Sequence, residues 1–298
     1  MNHGLVNPPV PSPFKGVRSQ FIAILCATLA GVAIAVGGCS FGDDHSGPGG
    51  RSQRRALTPE QEEELGRQAN DQILEKAGRA VLPSNHPDVE RVRAVGDRIQ
   101  EVLANKPLMR EMNLDVDRYR WHWTYNVIRD EQVNAFCLPA GYVVVYTSLL
   151  PLAATDDELA TVLGHEIAHA LAHHASERLA REGLLEKAKE IAGRALPRQL
   201  VGLLGGIGGR LYSLSFSRRQ ESEADHIGVF LMTFAKYNPD LALTFWQKME
   251  EHSSQSGKPP EILSTHPSDA HRIQQLRRWI PRAKAAYDAW GSGNVVKE

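Results

Sequence analysis

The sequence has little cysteine and no excess of charge of either sign. Its 298 residues include three cysteines, and 34 lysines and arginines nearly balance 35 aspartates and glutamates, which gives a formal net charge of -1. A protein that holds a polyanion by charge needs a basic excess, so nucleic acid is not an expected partner. Hydrophobic residues make up 42% of the chain and charged residues 23%, which predicts a globular protein with a core.

Long hydrophobic runs are also scarce, and the one that stands out covers residues 21–38. A membrane-spanning helix needs roughly 20 apolar residues. Because this run is short, ends in small residues and precedes a polar stretch, it predicts a signal peptide over residues 1–38, with an uncleaved anchor as the alternative. The end of the run, "VGGC", resembles the bacterial lipobox, which implies a lipid on Cys39.

The residues that follow predict a tether and a compartment. Residues 39–57 are rich in glycine, serine and charge, which predicts a lipidated, flexible tether before a domain over residues 58–298. The expected location is the periplasmic face of a cell envelope with the lipid as membrane contact, and Ser40 favours the outer membrane. With the first two cysteines lost to processing and lipid, Cys137 remains alone, so no internal disulfide is expected.

The rest of the chain predicts a mostly helical domain with a small sheet. Hydrophobic spacing and capping signals predict helices starting at Thr58 and Thr155, the second running to about Arg181. Alternating residues predict two strands of an antiparallel sheet, around 120–128 and 141–147. A glycine-rich apolar stretch over residues 196–214 is interpreted as a mobile packed linker, with contact to lipid or substrate as the alternative. Further helices are expected at about 88–104, 218–236, 238–252 and from 268 onward.

The stretch "LGHEIAHALAHH" in the second capped helix contains an HExxH pattern, formed by His165, Glu166 and His169. Residues four apart lie on one face of a helix, so both imidazoles can bind one metal ion while Glu166 lies beside the first of them. A solvent-facing helix that happens to be rich in histidine is the alternative. Catalytic zinc takes three protein ligands, so a third ligand is required.

Two arrangements could supply that third ligand. The HExxHxxGxxH pattern fails because residues 172 and 175 are alanines. In "SRRQESEADHIG", Glu221 and Asp225 are four apart, so Glu221 can complete a site with two histidines while Asp225 accepts the remaining N–H of a ligand histidine. Glu223 competes for the ligand position but points about 200° around the helix from Glu221. The spacing therefore favours Glu221.

Taken together, "HEIAHALAHH", "SRRQESEADHIG" and "STHPSDAHRI" resemble the successive signatures of the M48 family of gluzincin metallopeptidases. The upstream "VNAFCLPAGYVVVYTSLL" resembles that family's NAF-PGG-GL segment, although Ala140 and Ser148 stand where glycines are usual. The likeness covers residues 58–280. With the lipobox, it is similar to the bacterial periplasmic lipoprotein branch.

The resemblance implies an α+β, mostly helical zincin-type domain with one zinc ion per chain. By motif, the implied zinc ligands are His165, His169 and Glu221, with Glu166 as general base and Asp225 behind a ligand. These are the residues that the spacing also favours.

Three other histidines need an interpretation. His266, in "THP", is our candidate donor to the oxyanion, because family members carry a histidine there. Two alternatives stay open, namely that His266 blocks the open zinc position and keeps the enzyme latent, or that it is a surface loop residue. His173 and His174 are expected to be structural. Substrate is expected to add as a strand along "VNAFCLP".

These features predict a membrane-tethered zinc endopeptidase that hydrolyses unfolded or misassembled cell-envelope proteins. The alternative is a zinc-containing chaperone or adaptor that works with envelope assembly machinery and cuts little. A scaffold without metal is a third possibility.

Overall fold

A computed structural model describes residues 45–181, 216–256, 259–266 and 270–292. They belong to one compact unit, Asp43–Glu298. The predicted signal peptide, Cys39 and the glycine-rich stretch over residues 196–214 lie outside the described residues. None of the described helices combines the length and the apolar character that crossing a membrane requires.

Helices dominate the described part of the chain. In order, they are α1 (Pro59–Ala77), α2 (Pro87–Glu101), α3 (Lys106–Glu111), α4 (Asp156–Leu171), α5 (His174–Arg181), α6 (Arg218–Phe234), α7 (Asp240–Ser256), α8 (Glu261–Thr265) and α9 (Ala270–Gly291). The two predicted N-terminal caps are confirmed, because Thr58 and Thr155 each form a reciprocal capping box. Ser217 forms a third one at the start of α6.

The helix predicted to run to about Arg181 is broken after Leu171. His173 has a left-handed backbone with φ of 54°, which ends α4 and starts α5 in a new direction. Its ring is held there by Glu62, with Nδ1 2.7 Å from a carboxylate oxygen, and by stacking on Tyr119 at 3.9 Å between centroids. The break has no glycine to signal it, although histidine tolerates this conformation better than most residues.

Five short strands accompany the helices in the described residues. They are β1 (His45–Ser46), β2 (Ser52–Gln53), β3 (Thr124–Ile128), β4 (Ala135–Leu138) and β5 (Tyr142–Tyr146). The last three form a sheet in the order β3-β5-β4, with β5 buried in the middle. The register pairs Val127 with Val145 and Phe136 with Val144.

The predicted sheet is therefore present, but it is mixed rather than antiparallel. β4 pairs antiparallel with β5 through a tight turn, whereas β3 runs parallel to β5. The reason is that the segment expected to connect two strands itself forms the edge strand β4. The turn after it requires positive φ at Ala140 (64°) and Gly141 (95°), and glycine adopts this backbone at least cost.

The predicted tether is wrong for residues 45–57, which we call the N-terminal strap. This segment packs on the domain, and Gln53, Ala56 and Leu57 are all buried. The backbone N–H of Ala56 donates to the carbonyl of Ser176 at 3.2 Å. Composition did not reveal this packing because polar side chains, rather than large apolar ones, make many of the contacts.

The core lies between the sheet, α2 and the pair α4 and α6, and these two helices cross with their backbones in contact. A methyl group built on Gly164 of α4 would lie 2.9 Å from the carbonyl oxygen of Gly228 in α6. A methyl group on Gly228 would lie 2.9 Å from the carbonyl carbon of Gly164 and from the amide nitrogen of His165. This contact fixes the distance between the HExxH helix and the helix that carries Glu221.

We expect Gly228→Ala to lower the free energy of unfolding by about 1–3 kcal/mol, because the added methyl meets helix backbone that cannot move aside cheaply. The matched control is Gly291→Ala in α9, where the methyl meets nothing within 4 Å. The melting temperature of each variant, measured beside the parent, checks this. A Gly228→Ala protein as stable as Gly291→Ala would contradict the close crossing.

Candidate metal centre and active site

Two adjacent helices position the three predicted zinc ligands. His165 and His169 lie one turn apart on α4, and Glu221 projects from the first turn of α6. All three side chains are buried, with 2–4% of each residue exposed. His165 Nε2 is 3.1 Å from His169 Nε2, and each of these nitrogens is 3.5 Å from an oxygen of Glu221. The structure therefore brings these side chains together.

These distances fit a tetrahedral zinc site. Zinc–nitrogen and zinc–oxygen bonds of about 2.0–2.1 Å place neighbouring ligand atoms of a tetrahedron roughly 3.3 Å apart. The donor atoms of His165, His169, Glu221 and His266 all lie within 4.8 Å of one another. A set of imidazoles with one carboxylate is the donor chemistry that zinc favours. The residues present thus fit the metal.

His266 joins this cluster and is not a surface loop residue. It follows α8, is 2% exposed, and places Nδ1 3.2 Å from His165 Nε2 and 3.1 Å from Glu221 Oε1. Its Nε2 lies 3.5 Å from Glu166 Oε1. His266 therefore occupies the side of the cluster where a fourth ligand would lie.

Asp225 lies behind His165, where the sequence predicted it. His165 Nδ1 is 2.8 Å from Asp225 Oδ1, so an N–H at Nδ1 donates to the carboxylate and leaves Nε2 free for a metal. Arg272, which no sequence pattern marked as a site residue, donates to Asp225 at 2.7 Å and to Glu221 at 2.6 Å. It lies in the same quoted motif as His266, and its guanidinium stacks 4.0 Å from the ring of Trp246.

The pKa values of two residues in this cluster are strongly shifted. Burial alone would raise the pKa of Glu221, but His266 and His165 hold it well below its usual range. Glu221 is therefore ready to bind a cation as a carboxylate. Burial also lowers the pKa of His169 well below its usual value, which keeps this imidazole neutral and able to bind a metal.

Among His165, Glu166 and His169, only Glu166 forms no described hydrogen bond with another residue of the donor cluster. Its Oε1 is buried and has no hydrogen-bond partner in the described ranges. Burial raises the pKa of this carboxyl, as expected for a group that accepts a proton near neutral pH. A cavity of about 30 Å³, room for about one water, lies beside Glu166, His169 and His266.

The same cavity is lined by the edge strand β4. Residues 134–139 form one wall, so the segment predicted to bind substrate adjoins Glu166. Cys137 is half-buried there, and desolvation raises the pKa of its thiol well above the usual value, which does not suit a nucleophile.

Neither His173 nor His174 is among the clustered donors, in agreement with their expected structural roles. His173 is held by Glu62. His174 instead contacts His169, with 2.9 Å between their Nδ1 atoms, and its Nε2 is 3.1 Å from Glu223. Glu223 thus lies away from the donors, as its position on the helix predicted, but is linked to His169 through His174.

Comparison with known proteins agrees with this geometry. The model of Peptidase family M48 matches residues 97–280. Mitochondrial metalloendopeptidase OMA1 of Schizosaccharomyces pombe is 35% identical over 225 residues, which cover 75% of this chain and 62% of the relative. The Saccharomyces cerevisiae protein of the same name is 29% identical, covering 94% and 84%. Beta-barrel assembly-enhancing protease of Escherichia coli is 30% identical over 170 residues, covering 51% and 33%.

These relatives correct the predicted location. The expectation of a lipid-anchored protein at the periplasmic face of an outer membrane is wrong, because relatives that match 72% or more of this chain are named as mitochondrial. The assignment to a bacterial lipoprotein branch, with a signal peptide and lipid on Cys39, finds no support in them. The lipobox resemblance rested on four residues, too few to decide a compartment.

The predicted enzyme class and cofactor are confirmed. The matching family is a peptidase family, the relatives are named as metalloendopeptidases, and the clustered donors fit the zinc that this family uses. The chain spans about 62% of the S. pombe relative and a third of the E. coli one. By its family match and its HExxH geometry, the chain belongs to peptidase family M48.

Proposed function

We propose that this chain hydrolyses internal peptide bonds of unfolded or misassembled proteins, with His165, His169 and Glu221 holding zinc and Glu166 as general base. The observation that carries the proposal is the buried Oε1 of Glu166, which has no hydrogen bond in the described residues and lies beside the donor cluster and a cavity of water size. Zinc, when bound, would polarise the scissile carbonyl and lower the pKa of a water. Glu166 would take the proton of the attacking water at its carboxylate and pass it to the leaving nitrogen.

The edge strand supports extended substrates. β4 has a pairing partner on one side, β5, and its residues line the cavity at Glu166. A peptide that adds to a strand edge is held by backbone hydrogen bonds, which tolerate many sequences but require an extended chain. Folded proteins seldom offer such segments, so unfolded or misassembled proteins are the substrates that this geometry favours. The name of the E. coli relative, an assembly-enhancing protease, supports a role in protein quality control.

We also propose that His266 acts as a blocking ligand that keeps the enzyme latent until substrate arrives. Its Nδ1 is as near to the other donors as they are to one another. A cavity of about 30 Å³ is too small for a peptide, since ligand pockets measure some 300 Å³ or more. Since His266 is not a surface residue, two roles remain for it, and these distances favour blocking over donation to an oxyanion.

We expect Glu166→Gln to lower kcat/KM for an unfolded protein by about 10²–10⁴-fold, because the amide cannot accept the proton of water. Zinc content should stay at the parent level, since Glu166 is outside the donor set. Hydrolysis of unfolded casein and metal analysis of the same samples check both points.

The matched control for that substitution is Glu64→Gln, which makes the same chemical change at a carboxylate half exposed on α1. It should leave cleavage and zinc unchanged. Equal rates of cleavage by Glu166→Gln and the parent would show that Glu166 is not the general base. Zinc without cutting in both the parent and Glu166→Gln would point to a latent site or to a chaperone or adaptor, and His266→Ala distinguishes these two.

We expect His266→Ala to raise kcat/KM about tenfold, which corresponds to about 1.4 kcal/mol of lost blocking interaction. Three ligands remain, so zinc should still bind. The assay is the same casein hydrolysis, with zinc content measured in parallel. A fall of 10²–10³-fold with zinc retained would instead assign His266 to the oxyanion.

A further inference from the structure

A chain of hydrogen bonds leads from His169 away from the metal centre to the N-terminal strap. His169 Nδ1 is 2.9 Å from His174 Nδ1, and His174 Nε2 is 3.1 Å from Glu223 Oε2. Arg51 of the strap donates to both oxygens of Glu223, at 2.7 Å from Nη2 to Oε2. His169 and His174 are buried, so water does not replace these partners.

The order of donors along this chain selects the tautomer of His169. The carboxylate of Glu223 accepts only, so a neutral His174 carries its proton on Nε2 and accepts at Nδ1. His169 then donates from Nδ1, which leaves the lone pair of Nε2 directed at His165 and Glu221. His169 thus donates from Nδ1 and keeps Nε2 free, the same arrangement that Asp225 produces at His165.

Arg51 fixes the position of Glu223. Its guanidinium binds Glu177 as well, at 2.8 Å from Nη1 and 2.7 Å from Nη2, so one arginine joins the strap to α5 and α6. The paired N–H groups of arginine match a carboxylate, which restricts the rotation of both glutamates. Its side chain is 7% exposed, and Gln53 supports the joint by donating to the carbonyl of Ala172 at 2.6 Å.

We propose that Arg51 is a positioning residue for the metal centre. Through Glu223 and His174, it holds the imidazole of His169 in the orientation and tautomer that bind zinc. The N-terminal strap is thereby part of the centre, although it contributes no ligand. The proposal rests on the proposed function, because it presupposes that His169 binds zinc.

The test measures zinc affinity and stability separately in the full chain. Arg51→Met keeps the length of the side chain but removes its charge and donors. We expect its Kd for zinc, from competition with a chromogenic chelator, to rise about tenfold, the lower end of the range for partners that act behind a ligand. Arg51→Lys, which retains the charge but not the paired donors, should recover part of this affinity.

Two further variants make the outcome decisive. Arg67→Met removes an exposed arginine that pairs with two carboxylates, Glu64 and Asp71, and should leave the Kd unchanged. Glu223→Gln should raise the Kd for zinc, and this test stands even if Arg51→Met fails to fold. A purely structural Arg51 would lower the melting temperature of the metal-free protein and leave the zinc Kd within twofold of the parent, and that result would overturn the proposal. A parent chain that binds no zinc would overturn the proposed function as well.

Discussion

The centre depends on burying charged carboxylates of α6 against two histidines of α4. Removing ions from water costs several kcal/mol each, so such a cluster persists only if every charge has a partner. Arg272 supplies one partner by bonding both Glu221 and Asp225, and a metal ion would add two further positive charges to the same space. The backbone contact of Gly164 with Gly228 makes the pairing possible, because metal ligands tolerate errors of only about 0.2 Å.

Each of the two clustered histidines of α4 is oriented by a carboxylate that an arginine in turn fixes. For His165 the pair is Asp225 and Arg272, in direct contact. For His169 the carboxylate is Glu223, and His174 is inserted between them. Both carboxylates belong to α6, but the arginines come from the two ends of the described chain. The N-terminal strap and α9 therefore both contribute contacts to the same site.

The sequence could predict the parts of the site that depend on helical spacing. HExxH, and the separation of four between Glu221 and Asp225, follow from the helix period alone, and both helices begin at capping boxes of the S/T-x-x-E/Q type. The break at His173 was missed because no glycine marks it. The parallel pairing of β3 with β5 was missed because it joins strands that are not neighbours in sequence. Arg51 was missed because its partners are 126 and 172 residues away.

The position of His266 links access to the site with the edge strand. α8, which places His266 on the cluster, is bonded at its start to the chain just before β4, where Ile262 N–H donates to Val133 O at 3.2 Å. Its other end accepts a hydrogen bond from Phe216, whose ring covers His169 at 4.0 Å between centroids. In the proposed function, a peptide that pairs with β4 must displace groups held by these same contacts. A ligand shifts an equilibrium only by its preference for one state. An extended peptide fits only the state in which His266 has left the donor cluster, so it both selects that state and is cleaved in it.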